Sequence, residues 1–244
     1  EHAFLVALNE YVDGSLIVGS SKNGIKRFFP MTQEHVQIVD HQDHEEPITI
    51  HCMKLDNDGH LWVGTEQGIR VYGIGNKVTG KAQLVHSFRK DYALPHSLSD
   101  NAIHALLIDK HNACWAGTFF GGLNHIIKSE NTVRQYLPIE GRKNQIGANI
   151  IREIHADSKG RLWIGTEDGG IALFHPNDGS FQMVPLYQNG AKVVNIQSLC
   201  IYHDTMWVGI YMNGLLKIDL NTRDILDHYP YLNSTNVVCI LRTD

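Results

Sequence analysis

The chain has 244 residues, 43 % of them hydrophobic and 19 % charged, with a formal net charge of −5. That is the balance of a globular protein with enough chain to bury a sizeable core in one or two domains. No basic stripe interleaves with aromatics, which argues against nucleic acid as the main partner, and no apolar run is long enough to span a bilayer.

The predicted elements come in units. A first strand is expected over 3–8, and it leads to Ser15-Leu16-Ile17-Val18-Gly19. The same phrase returns as His60-Leu61-Trp62-Val63-Gly64, Ala113-Cys114-Trp115-Ala116-Gly117, Arg161-Leu162-Trp163-Ile164-Gly165 and Thr205-Met206-Trp207-Val208-Gly209. Its glycines are 45, 53, 48 and 44 residues apart, a period that marks a repeat architecture. The fourth copy spells out one unit: strands over 149–156, 161–166, 171–174 and 180–184. Turns at Asp157-Ser158-Lys159-Gly160, Glu167-Asp168-Gly169-Gly170 and His175-Pro176-Asn177-Asp178-Gly179 separate them. Asp and Gly in the first turn supply a local hydrogen bond and a positive φ. Four short strands per unit make an all-β chain, a β-propeller of four-stranded antiparallel blades. The units run over about 1–46, 47–99, 100–147, 148–193 and 194–234. Residues 236–244 repeat 149–157 position by position, the first strand of a sixth unit over 235–244. This predicts an arc of a larger ring, and Glu1 in place of Met predicts a processed or excised segment.

The phrase itself is read as structural. A strand glycine lets a neighbouring backbone approach, and tryptophan covers the gap between adjacent sheets. Cys52, Cys114, Cys200 and Cys239 form no CxxC pair and read as buried thiols, although a disulfide stays open. His41-Gln42-Asp43-His44-Glu45-Glu46 is the densest histidine group. It reads as a solvated inter-blade turn rather than a divalent-ion site. No HExxH, GxSxG or P-loop pattern occurs, so neither a catalytic residue, a metal ligand nor a cofactor is assigned.

From Asp91 to Ile103 the sequence becomes more specific. Ser97-Leu98-Ser99-Asp100-Asn101 leads into a strand ending at Asp109, then Trp115-Ala116-Gly117-Thr118 and Gly121-Gly122-Leu123. This resembles the two-component regulator propeller repeat. So do Leu61-Trp62-Val63-Gly64-Thr65 with Gly68-Ile69, and Leu162-Trp163-Ile164-Gly165-Thr166 with Gly169-Gly170-Ile171. Copy one departs at Leu16-Ile17 and copy five at Ile210-Tyr211-Met212. The resemblance implies a seven-bladed propeller in the periplasmic sensor region of a bacterial hybrid histidine kinase. It further implies oligosaccharide fragments as ligand, a homodimer in the full-length sensor, and membrane attachment only through segments outside this sequence. By the same token the region itself would be no enzyme. A protein-interaction scaffold and, less favoured, a metal-dependent propeller lyase are the alternative readings.

Ligand residues are expected on the loops joining second and third strands, which a rigid scaffold holds at one face. Phe119, Phe120 and Tyr211 stand there as aromatic platforms for a sugar ring, with Glu66, Glu167 and Asp168 as hydroxyl acceptors. First strands would line the channel, putting His51, His104, Arg152 and Cys239 at equivalent places. Arg152 is suited to a uronic-acid carboxylate.

Overall fold

The computed structural model describes residues 4–40, 48–75, 80–127, 132–139 and 145–230. The His41–Glu46 group, Cys239 and the sixth unit therefore lie outside the described residues. Within them every sheet of four strands is antiparallel and follows chain order. Sheet one is β1 (Leu5–Glu10), β2 (Leu16–Ser20), β3 (Gly24–Phe29) and β4 (Glu34–Val39). Sheet two is β5 (Ile50–Leu55), β6 (His60–Thr65), β7 (Gly68–Gly73) and β8 (Gln83–Phe88). Sheet three is β9 (Ile103–Ile108), β10 (Cys114–Thr118), β11 (Leu123–Ile127) and β12 (Thr132–Tyr136). Sheet four is β13 (Ile151–Ala156), β14 (Leu162–Thr166), β15 (Gly170–His175) and β16 (Ser180–Val184). A two-stranded hairpin follows, β17 (Tyr187–Gln188) and β18 (Ala191–Lys192). Sheet five is β19 (Ile196–Tyr202), β20 (Thr205–Ile210), β21 (Gly214–Asp219) and β22 (Ile225–Tyr229). These are five propeller blades.

The chain forms two compact units, Glu1–Ala116 with His125–Arg134, and Gly117–Asn124 with Gln135–Asp244. In the first unit β1 packs beside β5 and β5 beside β9; in the second β13 packs beside β19. Between blades one and two lies a core of Ile17, Ile25, Met53, Leu61 and Val63. Trp62, Ile69, Ile103, Leu106 and Cys114 form the next. The second unit has its own core, with Trp163, Leu173, Ile196, Leu199 and Val208.

The phrase glycine makes room for side chains of the neighbouring first strand rather than for its backbone. A Cβ at Gly19 would lie 2.7 Å from Met53 Cε, one at Gly64 2.8 Å from Ile103 Cγ2, and one at Gly165 2.8 Å from Ile196 Cγ2. The tryptophan has a partner six residues earlier. Asp56 accepts the Trp62 indole N–H at 3.0 Å, Asp109 that of Trp115 at 2.9 Å, and Asp157 that of Trp163 at 3.0 Å. The other oxygen of each aspartate accepts two backbone N–H groups of its turn. One carboxylate thus folds the turn and fixes the indole. Burial pushes the Asp157 carboxyl up, but hydrogen bonds from Trp163 and Arg161 and the charge of Arg161 outweigh this, and its pKa lies below the usual value. Gly160 at the turn has φ +74°, as the Asp-Gly pattern predicts.

Blade one has Ile17 where the others have tryptophan, and a buried arginine fills the role. Arg27 donates to Ser15 Oγ at 2.8 Å and to the Asp13 carboxylate, with its guanidinium over Tyr11. Its first strand runs over Leu5–Glu10 rather than 3–8, because the turn closes between the Tyr11 N–H and the Ser15 carbonyl. The hairpin β17–β18 is an element the strand pattern missed. Its turn residues Asn189 and Gly190 have φ +49° and +81°, the Asn-Gly geometry of a two-residue hairpin. Cys52, Cys114 and Cys200 are thiols; Cys114 and Cys200 are buried as expected but Cys52 only partly, and desolvation pushes the Cys114 pKa well up.

Candidate functional site

The second-to-third-strand loop is built the same way in three blades. A buried threonine ends the second strand and a positive-φ glycine opens the third. Thr65 Oγ donates to the Gly68 carbonyl at 2.9 Å, Thr118 Oγ to Gly122 at 3.0 Å, and Thr166 Oγ to Gly170 at 2.9 Å. Each hydroxyl also accepts a backbone N–H from inside its loop. The residue after the threonine is therefore held at a fixed place: Glu66, Phe119 and Glu167. In blade five Ile210 replaces threonine, and the loop is tied differently. Asn213 Nδ2 donates to Gln188 Oε1 at 2.7 Å, so the inserted hairpin holds the loop that carries Tyr211.

The second residue of the first strand faces this position. In blades one, two, four and five the pairing register slips at that residue: between Leu5 and Ala7, Ile50 and Cys52, Ile151 and Glu153, and Ile196 and Ser198. The bulged residues are Val6, His51, Arg152 and Gln197. A bulge re-aims its side chain out of the ladder. In blade two it brings His51 Nε2 to 2.6 Å from Glu66 Oε1. In blade four Arg152 Nε donates to Glu167 Oε2 at 2.7 Å, and a second guanidinium N–H reaches the same oxygen. Both pairs are separated by fifteen residues, a spacing the sequence reading passed over although it is visible in the aligned copies.

In the first unit three predicted residues come together. His51 and His104 stack with ring centroids 4.3 Å apart and an interplanar angle of 17°. With Glu66 they place one donor atom each within 4.8 Å of one another.

In the second unit the assembly is larger. Phe119 and Phe120 meet edge to face at 4.5 Å, and the Arg152 guanidinium lies 5.5 Å from the centre of the Phe119 ring. Phe120 is 68 % exposed. It lines a cavity of about 460 Å³ together with Asp168, Pro138, Ile139, Gln145 and Asn149. Gln145 bonds the Ile139 backbone through both ends of its amide, which fixes one wall. Gly147 lines another, with Gly169 packed against it: a Cβ at Gly169 would lie 2.8 Å from the Gly147 carbonyl carbon. The cavity thus offers an aromatic face, a carboxylate, an amide side chain and backbone polar groups. Tyr211 stands 47 % exposed on its separate loop.

The sequence model of the two-component regulator propeller matches residues 45–67 and 145–168. Those two stretches carry two-component regulator propeller repeats. Both matched stretches run from the start of a blade into its Thr-Glu loop, so the repeat contains the bulged strand, the Asp–Trp turn and the candidate position together. No curated protein matches the sequence. Among solved structures, one similar fold is the extracellular domain of a hybrid two-component system of B. thetaiotaomicron. It has a TM-score of 0.74 and 20 % identity over 95 % of this chain and 29 % of that one. Two other propellers are comparably similar. A catalytically inactive virginiamycin B lyase of Staphylococcus aureus has a TM-score of 0.68 and 14 % identity, over 95 % of this chain and 72 % of that one. The RRP9 WD40 repeats have a TM-score of 0.69 and 12 % identity, over 93 % and 63 %. At these identities the likeness is one of fold. The chain spans less than a third of the length of the first of these structures.

Proposed function

We propose that this region is the periplasmic ligand-binding part of a hybrid two-component sensor, that it takes up oligosaccharide fragments, and that it signals across the membrane to a histidine kinase as a homodimer. The carrying observation is the cavity of the second unit, which the exposed Phe120 and Asp168 both line. Sugar rings present apolar C–H faces and rows of hydroxyls. An aromatic ring covers the first and carboxylate and amide groups bond the second, the usual division of labour in small-molecule sites. Arg152 adds a guanidinium next to the platform, held by Glu167, and suits an acidic sugar. The propeller repeats and the similarity to a sensor ectodomain support the role.

Calorimetry against neutral and uronic-acid oligosaccharides is the direct test. At least one is expected to bind, and Phe120→Ala to weaken it about tenfold or more while the protein stays folded, since an anchoring aromatic is worth over ~1 kcal/mol. Silence across the panel, or an affinity indifferent to Phe120→Ala, sinks the reading.

A further inference from the structure

We infer that His51, His104 and Glu66 form a transition-metal-ion site of the zinc class in the first unit. The three side chains offer two imidazole nitrogens and one carboxylate oxygen within 4.8 Å of one another. A tetrahedral zinc ion with bonds of about 2.0–2.1 Å needs its donors roughly 3.3 Å apart. The His51 Nε2–Glu66 Oε1 distance of 2.6 Å is already shorter than this. Two changes convert the cluster into a ligand set. The ion replaces the hydrogen bond between His51 and Glu66, and the His104 ring turns out of its stack so that its in-plane lone pair meets the same point.

Each ligand is supplied by a device that recurs along the chain. His51 is the bulged residue of β5, and Glu66 follows the Thr65 hydroxyl that closes its loop. His104 occupies the same place in β9 as His51 in β5. All three side chains are partly accessible, which leaves a fourth coordination position to water or a ligand group. Two imidazoles and one carboxylate select zinc, copper or nickel over magnesium and calcium, which want oxygen alone.

Two neighbouring arrangements show what such a site excludes. Asp56, Asp58 and His60 are equally close, but both Asp56 oxygens already accept N–H groups, one of them the Trp62 indole. A cation there would face donors. In blade four the equivalent pair is Arg152 and Glu167, and a guanidinium is no ligand.

The test uses the whole chain without an affinity tag and zinc chloride as probe, read by calorimetry and by the absorption of a cobalt(II) derivative. One ion per chain is expected. His51→Gln, His104→Gln and Glu66→Gln are each expected to loosen it about tenfold or more, by analogy with the 10- to 100-fold losses seen on disturbing metal-site shells. The double variant His41→Ala/His44→Ala is expected to bind as the parent does. The cobalt bands are expected to be those of nitrogen and oxygen ligands. Lack of stoichiometric binding, or a loss that follows His41 and His44 instead, overturns the assignment. So does thiolate-to-cobalt charge transfer, which would move the ion to a cysteine such as Cys52. The cobalt spectrum of the parent protein keeps the test decisive even where a variant fails to fold.

Discussion

In the second blade the bulged residue of the first strand is His51, bonded to Glu66; in the fourth it is Arg152, bonded to Glu167. The frame around the two pairs is the same. An aspartate folds the first turn and holds the tryptophan, and a threonine closes the loop beyond it. One substitution in the first strand therefore changes the residue facing the glutamate from an imidazole to a guanidinium. The third blade sharpens the contrast, because Phe119 takes the carboxylate's place there. There His104 stacks on His51, and Phe119 lies by Arg152. What differs between blades is the rim; what is shared is the means of holding it.

If the frames are equivalent, removing their common part should cost the same in each. Trp62→Ala and Trp163→Ala are each expected to destabilise by about 3–5 kcal/mol, since both indoles are buried and each also satisfies an aspartate. Chemical denaturation reads this, and costs that differ by more than a factor of two would break the equivalence. Next in size, Gly64→Ala pushes a methyl group against the Cys52 sulfur and Ile103, Gly165→Ala pushes one against Ile196, and each should cost about 1–3 kcal/mol.

A pH titration of stability isolates the fourth blade's carboxylate. The folded-state pKa of Asp157 is depressed, so its contribution is present above the ordinary carboxylate value and is lost as pH falls through the lower folded value. Asp157→Asn should flatten the acid limb of the stability curve below about pH 4. An unchanged limb would mean that the hydrogen bonds of this turn do not favour the charged form. The smallest effect concerns the rim pairs. Glu66→Gln and Glu167→Gln are each expected to change stability by less than about 1 kcal/mol, because both pairs are partly solvated. Their separation is functional: the first should alter zinc uptake alone and the second saccharide binding alone. Cross-effects would show that the two rims act as one site.

Much of the blade architecture was legible because strand periodicity, the tryptophan phrase and the Asp-Gly turns are local signals. The rim was legible only in part. Phe119, Phe120 and Tyr211 stood out as breaks in a repeated pattern, but their surroundings depend on features that leave no composition trace. The bulge that re-aims His51 and Arg152 is a matter of register, which is set by pairing and not by residue type. The Asp–Trp bond needs the folded turn to bring residues six apart together. Nothing in its own segment announces that Arg27 in blade one replaces an indole. The β17–β18 hairpin was within reach, because Asn189-Gly190 is a turn signal in plain view.

The threonine-closed loop also bears on how such a protein could change. Its anchors, the threonine hydroxyl and the positive-φ glycine, bond to each other and to loop backbone, not to the side chains between them. The two positions after each threonine are thus released from folding duty and open to trial. A glutamate, a phenylalanine or an aspartate can be exchanged there at little structural risk. The chain works as a printing forme: the type in each slot is replaceable while the frame that locks it stays put, so new specificities need not wait for new folds.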